Sequence, residues 1–120
     1  RKLDKVNGKQ VNSIEVYKAN LDKICSYLQK EYPKAKLIFA TTTAVPDEGA
    51  DGRIAGDSEK YNLAAREVLV KYPSIVINDL YSFTKPNASK WYIEPANVHY
   101  NDLGKTAQGK QVTKVIAENL

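Results

Sequence analysis

Histidine occurs once in this chain, at position 99, inside the stretch EPANVHYNDLG. Imidazole is the side chain best poised to take and return a proton near neutral pH. A second reactive candidate is the tripeptide Gly56-Asp57-Ser58, which offers a serine hydroxyl. A serine nucleophile with a histidine base is the core apparatus of covalent acyl transfer. Each residue also has a plainer reading, His99 as a surface histidine at a helix start and Ser58 as a helix cap.

The local sequence separates the two readings for Ser58. A nucleophile of this kind follows an apolar strand, so that the serine sits on the strand-to-helix turn. Gly56-Asp57-Ser58 instead follows DGRIA, which is polar and glycine-rich. Asp57 or Ser58 is well placed to cap a helix starting at Glu59, where a side-chain oxygen satisfies free N–H groups for about 1 kcal/mol. The cap is the favoured reading, and a rearranged arrangement with Ser58 as nucleophile is its alternative. Thr41, Thr42 and Thr43 end a strand and are pocket-lining candidates. Trp91 and Tyr92 precede His99, as a stacking wall or as a cover over the core edge. Asp79 ends a second strand. Asn87-Ala88-Ser89 is a glycosylation sequon of a kind common by chance.

The composition bounds the function classes. The 120 residues suit one domain with one modest core. A hydrophobic share of 42% with 27% charged residues is ordinary for a globular protein. No apolar run reaches the length of a membrane span, and no charged-then-apolar leader opens the chain. The net charge of +4 comes from dispersed lysines with acidic residues among them. A nucleic-acid footprint needs clustered Arg and Lys with interleaved aromatics, so no nucleic-acid partner is expected. The single cysteine, Cys25, falls on an apolar helical stripe and reads as a small buried hydrophobe. One histidine and one cysteine do not make an ordinary structural zinc site, so no metal is expected.

The elements that must position these residues follow from periodicity. Residues 1–11 read as a loop. Asn12 opens a helix with Glu15 at capping-box spacing, and Ile14, Tyr17, Leu21, Ile24, Cys25 and Leu28 form its stripe as far as Pro33. KLIFATTT, 36–43, and IVINDLY, 75–81, are continuous apolar runs, as expected of strands buried on both faces of a parallel sheet. Between them a long loop, 44–56, leads to a helix over about 58–72 with Tyr61, Ala64, Ala65, Val68, Leu69 and Tyr72 inward. Residues 82–102 read as a loop. A last helix spans about 103–119 with Leu103, Ala107, Val112, Val115 and Ile116 inward, weakened by Gly104 and Gly109.

Strands alternating with helices predict an α/β fold with right-handed crossovers. Two parallel strands leave two open edges and cannot cover three helices, and sheets usually hold about five or six strands. The sequence is therefore expected to be the second half of a larger domain, with the other strands lying before Arg1 or in another chain. His99 then lies in a loop beyond the second strand, where α/β sheets hold their sites.

From NSIEVYKANLDKI through KLIFATTTAVP, EKYNLAAREVL and INDLYSF to PANVHYNDLGKTAQGKQV, the chain resembles the C-terminal half of an SGNH hydrolase, the GDSL-type esterase/lipase family. The most specific piece is the last block: a histidine, an aromatic, a short turn, a glycine and an amphipathic helix. The resemblance implies a three-layer α/β/α flavodoxin-like fold, of which residues 1–120 are a single partial domain with two parallel strands and three helices. It implies hydrolysis of small-molecule esters, acetylated carbohydrate among them by analogy, with no metal or organic cofactor and a secreted or periplasmic setting. His99 matches the catalytic histidine that takes the serine's proton and passes it to the leaving alcohol. The family's Asp three residues earlier is Ala96 here, leaving Asn97 as a polar neighbour able to orient His99. The family's nucleophile and oxyanion blocks lie upstream of the matched region, and Gly56-Asp57-Ser58 is out of their order. The chain alone is then catalytically incompetent, and a missing N-terminal half or another chain completes it at a strand edge. The alternative is a non-catalytic interaction or ligand-binding module whose Trp91–Tyr100 loop meets its partner, a reading that suits the loss of the acid at position 96.

Overall fold

The computed structural model describes residues 12–50 and 52–120; the segment 1–11, read above as a loop, lies outside the described residues. The first helix, α1 (Ile14–Glu31), begins at Ser13, whose hydroxyl accepts a hydrogen bond from the Val16 N–H at 3.2 Å. The cap is thus Ser13 and not Asn12. Glu15 in the first turn and Lys30 in the last complement the helix dipole. Strand β1 (Ile38–Ala40) leads by a long loop to α2 (Asp57–Leu69), and strand β2 (Val76–Asn78) follows.

The two strands are parallel, with Ile38 opposite Val76 and Ala40 opposite Asn78. Alternating side chains divide the sheet into two faces. Leu37, Phe39, Ile75 and Ile77 turn toward α1 and α2 and join a core of Leu21, Cys25, Ala65, Val68 and Leu69. Ala65 is wholly buried, so its small side chain lets α2 lie close against α1 and the sheet. Lys18 pairs with Glu67 and Lys71 with Asp22 along the α1–α2 seam. Cys25 is buried in this core, as expected, and burial pushes its thiol up. Ile24 is not in it: that side chain is more than half exposed.

The other face turns toward α5 (Asp102–Glu118), where the Gln111 amide reaches Asn78 Oδ1 at 3.4 Å. Here the expected inward stripe fails. Leu103 is 71% exposed, Val112 and Ile116 are exposed, and Gly104 alone is buried in the helix. The reason is the narrow sheet beneath it. Val112 and Ile116 overhang β1 and line, with Ile38 and Ala40, a groove of about 510 Å³. The Leu37 carbonyl accepts from Val76 N–H, and Thr41 N–H donates to the Asn78 carbonyl, both at 3.0 Å. Backbone groups of alternate residues in a parallel ladder face the same neighbour. The N–H and C=O of Ile38 and Ala40 therefore point away from β2, along an edge beside that groove that no strand among the described residues covers.

Residues 82–102 are not one loop. They complete α3 (Leu80–Thr84), pass through a 3₁₀ turn (Lys85–Asn87) and form a short α4 (Ala88–Trp91). Asp79 starts this run by capping α3, and Pro86 is tolerated because it falls in the first turn of the 3₁₀ segment. Both strands are also shorter than the apolar runs, for a reason that lies at their carboxyl ends.

Candidate functional site

Buried polar side chains gather where β1 and β2 end: Thr41, Asn62, Asn78 and Thr84, with Ser58 close by in α2. Asn62 lies on the otherwise apolar face of α2. Its side-chain amide pairs with the Thr42 backbone, accepting from the N–H at 2.9 Å and donating to the C=O at 2.8 Å. An amide side chain thus takes the place of a neighbouring strand, and regular β1 stops before Thr42. The Thr41 hydroxyl donates to Asp79 Oδ1 at 3.0 Å and accepts from Tyr81 N–H at 2.9 Å. Thr41 is therefore a brace between strand ends and not a pocket wall.

Asp79 is the hub of this region. It accepts from the Ser82 N–H and hydroxyl as the cap of α3, and from Arg66 Nη2 at 2.8 Å. Partial burial pushes its carboxyl up, but Ser82, Thr41 and the Arg66 charge outweigh that and hold it below its ordinary value. With every oxygen occupied, Asp79 reads as structural.

A cavity of about 610 Å³ opens beside these residues, walled by the 44–48 loop, the first turn of α2, and α3 through Pro95. Ser58 lines it and is only 8% exposed. The cap expected at Asp57 or Ser58 is not formed. Gly56 takes the N-cap position with a left-handed φ of 83°, which turns the chain before Asp57 without a steric cost. Ser58 thereby falls inside the first turn and points inward, and among the described residues its hydroxyl has no hydrogen-bond partner. Lys85 and Tyr81 share the cavity, with Lys85 Nζ donating to the Tyr81 hydroxyl at 3.0 Å. That bond raises the Lys85 amine above its ordinary value, and the Glu59 and Asp47 carboxylates push the same way. Lys85 is held as an ammonium and cannot serve Ser58 as a base.

His99 stands on a fastened loop. The Ile93 N–H donates to the His99 carbonyl at 2.9 Å, and Asn101 N–H donates to the Trp91 carbonyl at 2.7 Å. Asn101 also caps α5 through the Gly104 N–H and ties back to the Lys90 carbonyl. Gly104 is required here: a Cβ would meet Trp91 Cβ at 2.8 Å and the Tyr100 ring at 2.9 Å. Trp91 packs against Phe83 beside Gly104, whereas buried Tyr92 lines the cavity and donates its hydroxyl to the Ala44 carbonyl. Burial first, then Tyr100 and the carboxylates of Asp47 and Glu48, push the Tyr92 phenol far up.

No family model matches the chain, and no curated protein matches it either.

The loop brings His99 to an exposed position, but not to Ser58: His99 does not line the cavity, and no hydrogen bond joins the two. Among the described residues the imidazole has no hydrogen-bond partner. Asn97 does not orient the ring. Its Oδ1 accepts from the His99 backbone N–H at 2.8 Å, and its amide donates to Glu94. Ala96 holds a left-handed φ of 58° and donates its N–H to Glu48 Oε1 at 3.1 Å. Sequence reasoning missed Asn62, whose signal was a polar residue four after Ser58 on the helix's apolar face. It also missed Glu48 and Glu94, which carry no signal until the loops meet. Among the described residues, no helix is long and apolar enough to cross a membrane.

Proposed function

We propose that this chain is the C-terminal portion of an SGNH-type carboxylic-ester hydrolase with a flavodoxin-like fold, in which His99 is the general base. The observation that carries the reading is the exposed imidazole, without a partner among the described residues, on a tied loop beyond β2, directly before the cap of α5. A free imidazole in such a position is ready to take a proton from a serine hydroxyl and deliver it to a leaving alcohol. The nucleophile comes from upstream strands or from another chain added at the open edge of β1, since Ser58 stands apart from His99. The substrate is a small-molecule ester, with acetylated carbohydrate the analogy-based choice, and the chemistry needs no cofactor. In the full-length protein, His99→Ala is expected to lower hydrolysis of a chromogenic acetate ester by about 10³-fold or more with the fold intact. Activity within a few-fold of wild type would remove His99 from the mechanism.

The second reading is a non-catalytic module of the same fold. It is favoured by Ala96, which puts no carboxylate where a histidine base needs an orienting acid. A full-length protein without esterase activity that no serine-directed inhibitor labels would establish that reading over the first.

A further inference from the structure

The cavity beside Ser58 has a chemistry of its own. Four carboxylates line it, Asp47 and Glu48 from the β1–α2 loop, Glu59 from α2 and Glu94 from the loop after α4, against one ammonium, Lys85. Among the described residues none of the four forms an ion pair. Glu48 and Glu94 each receive one neutral N–H donor, at 3.1 Å. Beneath them is Ser58, a residue only 8% exposed that lines the cavity, its hydroxyl without a hydrogen-bond partner among the described residues. The walls also carry the aromatic side chains of Tyr81 and Tyr92.

Three ligand classes compete for such a cavity. An anion would be drawn by the N-terminus of α2, but Asp57 and Glu59 already answer that helix end. A metal ion needs ligands that converge. Among the described residues no three of His, Cys, Asp and Glu stand close enough to share one ion. Carboxylates spread over three separate elements instead suit a ligand whose positive charges are themselves spread out. Lys85 is an internal precedent: its ammonium sits 5.2 Å from the centre of the Tyr81 ring, and Glu59 and Asp47 help keep it charged.

We propose that this cavity binds a linear organic polyamine, its ammonium groups met by Asp47, Glu48, Glu59 and Glu94, its alkyl segments lying along the tyrosines, and one N–H donating to Ser58 Oγ. The volume of about 610 Å³ lies within the range of roughly 300–1,000 Å³ typical of small-molecule sites. The proposal does not rest on the esterase reading, because His99 is outside the cavity.

Calorimetric titration of the full-length protein with spermidine tests it. Saturable binding with a Kd below about 1 mM is expected at low ionic strength, weakening as sodium chloride is raised. Asp47→Asn with Glu59→Gln should weaken binding about tenfold or more, and His99→Ala should leave it unchanged. If a thermal melt shows the double variant misfolded, the exposed single variant Glu94→Gln carries the same expectation in smaller degree. Ser58→Val, which removes the hydroxyl and fills space, should also weaken binding. Failure to saturate, or affinity untouched by the charge variants, would overturn the proposal. So would sorbitol binding as tightly as spermidine, which would mark a polyol site, or magnesium competing at equal concentration, which would mark a metal site.

Discussion

The Asn62 side-chain amide makes two hydrogen bonds to the backbone of Thr42, one as acceptor at 2.9 Å and one as donor at 2.8 Å. A buried side chain on α2 thus ends β1 and frees the following loop to form the cavity wall. Asn62→Leu should destabilise the protein by about 2–4 kcal/mol, because it strands a donor and an acceptor that are partly buried. Chemical denaturation measures the loss. A change below about 0.5 kcal/mol would mean that water replaces the amide at little cost.

Gly104 is set by contact and not by dihedral freedom, since its Cβ site is filled by Trp91 and Tyr100. Gly104→Ala would ordinarily strengthen a helix by about 1 kcal/mol. Here it should instead cost about 1–3 kcal/mol through overpacking, and it should displace the His99 loop. Gly109→Ala, where a Cβ meets nothing, is the matched control and should be stabilising.

Asp79 has a folded pKa held below its ordinary value of 3.8. A depressed carboxyl contributes stability that is present above the unfolded pKa and is lost as pH falls through the folded one. The acid limb of stability should therefore fall away below about pH 4. Asp79→Asn should lower stability at neutral pH and flatten that limb in part. Asp22 retains the rest of it, its carboxyl lowered by Tyr72 first and by Lys71. Partial exposure of Asp79 and Arg66 keeps the effect modest. An unchanged acid limb in Asp79→Asn would sink this assignment.

Ala96 occupies the left-handed region with a φ of 58°. That conformation costs a residue with a Cβ roughly 1–2 kcal/mol relative to glycine. Ala96→Gly should raise the melting temperature, and Ala96→Val should lower it. Ala96→Asp is sterically tolerated, since Asp enters this region more readily than most residues. If the chain serves an esterase, that change should raise kcat, and no gain in kcat would argue that position 96 does not face the imidazole.

The open edge of β1 is a prediction about association. The Ile38 and Ala40 amides point away from β2, toward the groove under Val112 and Ile116. Such an edge recruits another strand. The 120-residue chain on its own should self-associate in light scattering, or exchange the Ile38 and Ala40 amides rapidly. A monomer that protects both amides would show that two strands suffice.

Helix α2 shows how far local pattern reaches. Its stripe Ala64, Ala65, Val68 and Leu69 is read from 3.6-residue spacing, and those residues are buried. The same rule misplaced Ile24 in α1 and Leu103, Val112 and Ile116 in α5. Periodicity reports which face of a helix is apolar, not how much sheet exists to cover it. The α3–α4 segment was illegible for a different reason. Its helices are shorter than two periods, and α3 is held by Asp79, the residue that follows β2.

The sequence by itself determined the three long helices and two strands and their order, the core side of α2, the burial of Cys25, and the place of His99 in a loop before the last helix. Those follow from short-range spacing, capping chemistry and proline or glycine punctuation, all of which act within a few turns of chain. Only the tertiary structure decided the rest. A left-handed Gly56 moved the start of α2 and turned Ser58 from a cap into a cavity wall. Contacts between residues distant in the chain joined Asn62 to Thr42, Asp79 to Arg66, and Glu48 to Ala96. Such partners are chosen by which surfaces meet when the layers close, and their energies depend on distances that no local periodicity encodes.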